Sequence, residues 1–247
     1  MALSFEKSIK KATTVDKINS MIIFGEYGTG KTWLAASADD IEDYSPVLIV
    51  DIEGSAAGVG RMYPDVDIVS ADSHAKLEVI RKELLHEEHP YRTVIFDTYN
   101  VAQNRAEKFF KAKPENANNK FGVWSDLKEW SIEFVREMHH APFLAIFIAH
   151  SQTDKDDNTG KMVTTVKIAG SARTDVPAVP DLIGYLEFVP DDEGNPIRVL
   201  RVGRSSSIIT KNRFGIPDTI YPSGDNEGPT IADIQREIIS ARLEKEQ

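Results

Sequence analysis

The sequence predicts an α/β fold with a mainly parallel central sheet flanked by helices, followed by antiparallel strands toward the C-terminus. Three observations carry that expectation. Short, uninterrupted, β-rich apolar runs alternate with helix-forming stretches, the pattern of strands buried on both faces. The first run leads directly into Gly25-Glu26-Tyr27-Gly28-Thr29-Gly30-Lys31-Thr32, a complete phosphate-binding loop of the form G-x-x-x-x-G-K-[ST]. After His150 the pattern changes to alternating polarity broken by turn signals.

In chain order, residues 1–17 are polar and mixed in charge and read as an N-terminal arm, with residues 18–247 as one domain. Met21-Ile22-Ile23-Phe24 reads as a buried strand and Trp33-Leu34-Ala35-Ala36 as a helix start. Residues 46–51 form a second buried strand and 66–70 a short one. Residues 73–88 form a helix, because Leu77, Ile80, Leu84 and Leu85 recur at helical spacing. Residues 93–97 are another buried strand. A helix over 125–140 has Ser125 as its N-cap and leads through Pro142 into a strand over 143–149. Beyond it, 154–160 is turn-rich, 162–168 alternates, and runs at 182–189 and 197–202 flank Asp-Asp-Glu-Gly-Asn-Pro, a hairpin signal. A helix over 231–243 follows.

The chain has 247 residues and no cysteine, which excludes disulfides and thiolate metal sites and fits a reducing cytoplasm. The N-terminal residues lack an apolar stretch of signal-peptide length, and the longest apolar run, 143–149, is too short to span a bilayer, so a cytoplasmic protein with no membrane partner is expected. The formal net charge of −10 argues against a general nucleic-acid coat. The charge is uneven, however: residues 39–53 carry six acids and no base, whereas Arg198, Arg201, Arg204, Lys211 and Arg213 fall in an acid-free stretch. Solvated strand edges and a solvated helix face are the alternative to a binding surface.

The phosphate loop points to a nucleoside triphosphate, ATP, with Mg²⁺. Gly25, Gly28 and Gly30 let the backbone curl so that its N–H groups, including those at Glu26, Tyr27, Thr29 and Trp33, face phosphate oxygens. Lys31 neutralises β/γ charge and the Thr32 hydroxyl ligates the metal. A second carboxylate is needed near the metal, and Asp97, ending an apolar strand, supplies it with Thr98 beside it; a helix N-cap is the alternative. Hydrolysis also needs a group to orient or deprotonate water. Asp51 and Glu53 lie two apart at a strand end, and Glu53 is the general-base candidate, with capping or solvated carboxylates as the alternative. His150 and Gln152 follow an apolar run, where a γ-phosphate sensor can sit; a packed or capping histidine is the alternative.

This order of elements resembles the RecA-like P-loop ATPases. The Asp51-x-Glu53 element is similar to the strand end where RecA recombinases carry their catalytic glutamate, and Lys211-Asn212-Arg213-Phe214-Gly215 matches the Lys-Asn-Arg-Phe-Gly signature of bacterial RadA proteins. The length, with neither the zinc finger nor the protease-like domain of RadA, and the Ala-Gly-Ser and Pro-Asp-Leu-Ile-Gly-Tyr-Leu stretches look most like phage-encoded RecA-like ATPases of recombination and single-strand annealing. The resemblance covers about residues 18 to 222. It implies a RecA-like ATPase that acts on single-stranded DNA and assembles with itself into a ring or filament, with a single-strand-binding protein as a candidate partner. It further implies that Lys211 and Arg213 reach a neighbour's nucleotide, with a solvated basic edge as the alternative. The loops after the Asp97 and His150 strands would line the DNA path, carrying Lys108, Lys111, Lys113 and Lys120 in the first and Lys155, Lys161, Lys167 and Arg173 in the second. Tyr99, Phe109, Phe110 and Phe121 are candidate stacking faces, with core packing favoured for Phe109 or Phe110. A small-molecule P-loop kinase and an ATP-switched assembly protein are the rival functions.

Overall fold

The computed structural model describes residues 17–117, 119–156, 159–203, 205–224 and 226–244. Apart from Lys17, the expected N-terminal arm lies outside the described residues, as does Arg204. The apolar runs become strands β1 (Ser20–Gly25), β2 (Val47–Asp51), β3 (Asp67–Ser70), β4 (Thr93–Asp97), β5 (Leu144–Lys155), β6 (Met162–Val166), β7 (Leu182–Pro190), β8 (Pro196–Arg201), β9 (Lys211–Asn212) and β10 (Thr219–Ile220). The helices are α1 (Lys31–Ala36), α2 (His74–His86), α3 (Tyr99–Ala112), α4 (Lys120–His140), α5 (Ala172–Asp175) and α6 (Ile231–Leu243).

The sheet order is β10-β8-β7-β1-β5-β4-β2-β3, with β6 on β5 and β9 on β7. From β7 to β3 the strands are parallel, and β6, β8, β9 and β10 pair antiparallel. This is the expected mixed architecture, a mainly parallel sheet followed by antiparallel strands. Register places Gly25 opposite His150, and Asp97 opposite both Ile148 and Asp51, so the C-terminal ends of four strands meet along one edge. The strand ending in Asp97 is not beside the phosphate-loop strand, because β5 lies between them.

Both faces of the sheet are covered, which is why its strands are apolar at nearly every position. One face sends Phe24, Val50, Phe96 and Phe147 against Leu77 and Ile80 of α2, Ala102 and Ala106 of α3, and Leu127, Trp130 and Phe134 of α4. The other sends Ile23, Ile49, Ile95 and Ile148 against Leu34 of α1 and Ile231, Ile234 and Ile238 of α6. A capping box starts α6: Thr230 Oγ1 accepts from the Asp233 N–H at 3.2 Å, and the Asp233 carboxylate accepts from the Thr230 N–H at 2.8 Å. Among the described residues, no helix is long and apolar enough to cross a membrane.

Three expectations need correction. The helix expected from Ser125 begins at Lys120, because Asn119 caps it by accepting from the Gly122 N–H at 3.0 Å. The chain after Asp97 is not an open loop but helix α3, which places Lys108 and Lys111 on a helix and pairs Lys111 with Glu107. Its buried stripe of Tyr99, Ala102, Ala106 and Phe110 has helical spacing, but two alanines make it faint in the sequence. The strand expected to end at Ala149 runs on to Lys155, because it leaves β4 and pairs with β6, where polar side chains face outward.

Candidate functional site

The phosphate loop links β1 to α1, and sterics explain its glycines. A Cβ on Gly25 would come within 2.4 Å of the Leu186 carbonyl oxygen on β7, so no larger residue fits there. Gly30 has φ +89°, the left-handed conformation that L side chains rarely adopt. Lys31 arches back over the loop, and its Nζ donates to the carbonyls of Gly25 at 3.0 Å and Glu26 at 2.6 Å. Burial lowers its pKa, against the raising influence of Asp97, Glu26 and Glu53. A buried ammonium held by carbonyl dipoles is primed for phosphate oxygens, which supply full negative charge.

Across the site, the Thr32 hydroxyl donates to Asp97 Oδ2 at 2.7 Å, and Thr98, not Asp97, stands at the N-cap of α3. Burial is the largest influence on Asp97 and lifts its carboxyl to about 6; the Thr32 hydrogen bond opposes, while Glu53 and Asp51 push it further up. Asp51 and Glu53 do not share a face as expected, since β2 ends at Asp51. Asp51 turns away to accept from the backbone N–H groups of Gly54 at 2.7 Å, Ser55 at 3.2 Å and Ala56 at 3.3 Å, a capping role. Glu53 stays in the site: its Oε2 accepts from Thr98 Oγ1 at 3.1 Å and lies 3.7 Å from His150 Nε2.

His150 is buried and held by Asn100, a residue with no motif signal in the sequence. Asn100 Oδ1 accepts from the His150 backbone N–H at 3.0 Å, and its amide nitrogen donates to His150 Nδ1 at 3.1 Å. That donation assigns the remaining ring proton to Nε2, which faces Glu53. Burial lowers the His150 pKa, with Lys31 and Lys167 acting the same way and Glu53 opposing, so the ring is neutral at physiological pH. Tyr27 lies over it with centroids 4.3 Å apart. Gln152 is not in the group; its amide donates to Asp154 instead. Ser151, which sequence reasoning passed over, donates to Glu26 and ties β5 to the loop.

These groups open on a cavity of about 420 Å³, lined by the phosphate loop, Trp33, Glu53, Asp97 and His150 together with Ser55, Gly58 and Val59. Lys211 and Arg213 lie elsewhere. In β9, Lys211 pairs with Ile183, which is level with Ile22, and Arg213 follows beside Asp181, so Lys211 sits three residues, roughly 10 Å at about 3.3 Å per residue, back along the strand direction from Gly25 and Arg213 farther still. Lys211 Nζ donates to the carbonyls of Pro177 at 3.1 Å and Ala178 at 2.6 Å, while Arg213 pairs with Asp181 at 2.9 Å. Burial and the neighbouring Arg213 lower the Lys211 pKa to about 8.

Of the candidate DNA contacts, Lys113 pairs with Asp126 and Arg173 with Asp154. Tyr99 and Phe110 are core residues, and Tyr99 donates to the Ser131 carbonyl at 3.2 Å. Phe109 is half-exposed beside the His74 ring, and Phe121 is 89% exposed.

A family model described as an AAA domain matches residues 17–214. No curated protein matches the sequence. Among solved structures, the chain is similar to a crystal structure of the RadB recombinase, with 14% identity and a TM-score of 0.46 over 74% of this chain and 80% of that one.

Proposed function

We propose that this chain, which belongs to the AAA domain family, is an ATPase that works as an oligomer on single-stranded DNA in recombination, annealing or repair, with residues 18–247 as its working domain. The observation that carries the ATPase reading is the Thr32–Asp97 pair at 2.7 Å, set beside Lys31 with Glu53 facing the same cavity.

The donor set fits Mg²⁺. A hydroxyl and a buried carboxylate are hard oxygen donors held side by side, and Thr32 and Asp97 would hold the ion. The ion would supply positive charge to offset that of the triphosphate. Lys31 exchanges the carbonyls of Gly25 and Glu26 for phosphate oxygens. Glu53 takes the proton of the attacking water, with Thr98 fixing its carboxylate at the cavity. His150, its Nε2–H turned toward Glu53, registers loss of the γ-phosphate and passes it along β5 to the β5–β6 hairpin. Glu53 supports hydrolysis over the assembly-switch reading.

Lys211 and Arg213 act in trans in this scheme, on the nucleotide of an adjacent copy; their position away from the chain's own loop supports it. Such a contact is heterologous and builds rings or filaments. The DNA is met by Lys120, Lys155, Lys161 and Lys167 together with the exposed Phe121, and the resemblance to phage-encoded annealing ATPases supports a cytoplasmic role on single strands. The test is ATP turnover with and without single-stranded DNA, with solution mass measured in parallel. Stimulated turnover by an assembly is expected. Tight ATP binding with no turnover would favour the switch, and turnover only with an added small acceptor the kinase.

A further inference from the structure

A residue outside every recognised motif lies against the phosphate loop. Arg198 of β8 reaches Gly30: a Cβ built on that glycine would meet Arg198 Nε at 3.3 Å, Cδ at 3.6 Å and Cζ at 3.7 Å. The β7–β8 hairpin projects past the end of β1, because Tyr185 is level with Phe24 whereas Phe188, three residues on, pairs with Arg198. The guanidinium lies over the Phe188 ring, with Cζ 5.1 Å from its centroid. Stacking on an aromatic face leaves the N–H edges of a guanidinium available for hydrogen bonds.

Two features of this arrangement point to a ligand. Arg198 Nε is buried with no hydrogen-bond partner among the described residues. An orphaned buried donor is destabilising, more so when charged, unless something completes it. The other end of the guanidinium is held loosely: Nη1 donates to the Glu227 carboxylate at 3.3 Å, on a side chain 85% exposed, and to the Glu227 backbone carbonyl at 3.4 Å. Such solvated pairs contribute little and exchange readily.

The sheet order says which part of a nucleotide Arg198 meets. Glu53, Asp97 and His150 lie on β5 or on the β4 and β2 side of it, whereas β7 and β8 flank β1 on the opposite side. The γ-phosphate belongs with the hydrolytic groups. A cation approaching Gly30 from the opposite side therefore meets the other end of the triphosphate.

We propose that Arg198 is a nucleotide-binding residue that contacts the α-phosphate of ATP from within the same chain, on the side of the phosphate loop opposite Glu53 and Asp97. This rests on the reading of the loop as the ATP site. Guanidinium binding to the phosphate satisfies Nε and releases Glu227, so the occupied site also shifts the segment that leads into α6.

Titration calorimetry with ATP and with ADP, both with Mg²⁺, tests this on the wild type, Arg198→Gln and Glu227→Gln. Arg198→Gln keeps most of the stem over Phe188 and removes the charge. It should weaken ATP and ADP alike by about tenfold to a hundredfold, the scale of a hydrogen bond to a charged group. Glu227→Gln should bind both nucleotides at least as tightly as the wild type, because Arg198 no longer has to leave a carboxylate. Unchanged affinities in Arg198→Gln, a loss confined to ATP, or weakened binding in Glu227→Gln would each overturn the assignment. If Arg198→Gln melts too low to titrate, Glu227→Gln and Arg198→Lys still decide it, since Lys keeps the charge without the Nε–H and should lose affinity for ATP and ADP equally. A wild type that binds no ATP would instead sink the reading of the loop itself.

Discussion

Asp97→Asn should stabilise the nucleotide-free protein while ending its ability to hydrolyse ATP. The wild-type carboxyl is buried beside Glu53 and Asp51, and its pKa rises from 3.8 to about 6. At about 1.36 kcal/mol per unit, that rise opposes folding by roughly 3 kcal/mol once the group is ionised. The direction follows from proton binding. Below about pH 4 both folded and unfolded chains hold the proton and nothing is lost. Between about pH 4 and pH 6 the unfolded chain releases it while the folded chain keeps it, so stability falls as pH rises, and above pH 6 the loss is constant. Asparagine keeps an oxygen to accept from Thr32 and carries no charge. Thermal melts of wild type and variant from pH 4.5 to pH 8 should therefore show the variant higher by roughly 6 °C or more at pH 8, at about 2–4 °C per kcal/mol for a chain of this size, with the gap closing toward pH 4. Added MgATP should raise the wild type more than the variant. A variant less stable than wild type at pH 8, or a gap that does not change with pH, would refute the picture of an ionised carboxylate held at the expense of folding.

Lys31→Ala should abolish turnover and sharply weaken ATP binding, read by calorimetry, because Lys31 is the cation buried inside the loop; normal turnover would remove the loop from the mechanism. Arg213→Ala should bind ATP normally but lose DNA-stimulated hydrolysis, and mixing it with Lys31→Ala subunits should restore part of the activity, because some interfaces then join an intact loop to an intact arginine; co-assembly without recovery would argue against a trans role. Binding to single-stranded DNA, followed by anisotropy, should require ATP and weaken steeply with salt, since a chain of net charge −10 can meet phosphates only through a local basic lining; a flat salt response would contradict that.

The parallel strands and the phosphate loop were legible in the sequence because each is a local signal: an apolar run bounded by polar residues, or fixed residue types at fixed spacing. Asp97 and Glu53 were legible as carboxylates at or just past strand ends, but their partners were not. Asn100 holds His150 across fifty residues of sequence, and Arg198 meets Gly30 only because β8 follows β7 past the end of β1. Contacts of that kind depend on register, which a linear pattern does not encode. Asp51 and Glu53 show the same limit. A strand continued by two residues would have put both on one face, whereas Gly54, with φ +90°, bends the chain and lets Asp51 cap the turn. Helix α3 is faint in the sequence because alanines make much of its buried face, and Gln152 lies away from the cavity because β5 continues into an outward-facing ladder with β6.

If Glu53 activates water at a MgATP site built on the phosphate loop, removing its carboxylate must slow the chemistry and spare binding. Single-turnover hydrolysis of ATP by wild type and Glu53→Gln, measured with saturating Mg²⁺ in the presence of single-stranded DNA, tests it most directly. The variant should bind MgATP as the wild type does but hydrolyse it about a hundredfold or more slowly, the scale of a lost general base. Hydrolysis by Glu53→Gln at the wild-type rate, with ATP fully bound, would contradict it.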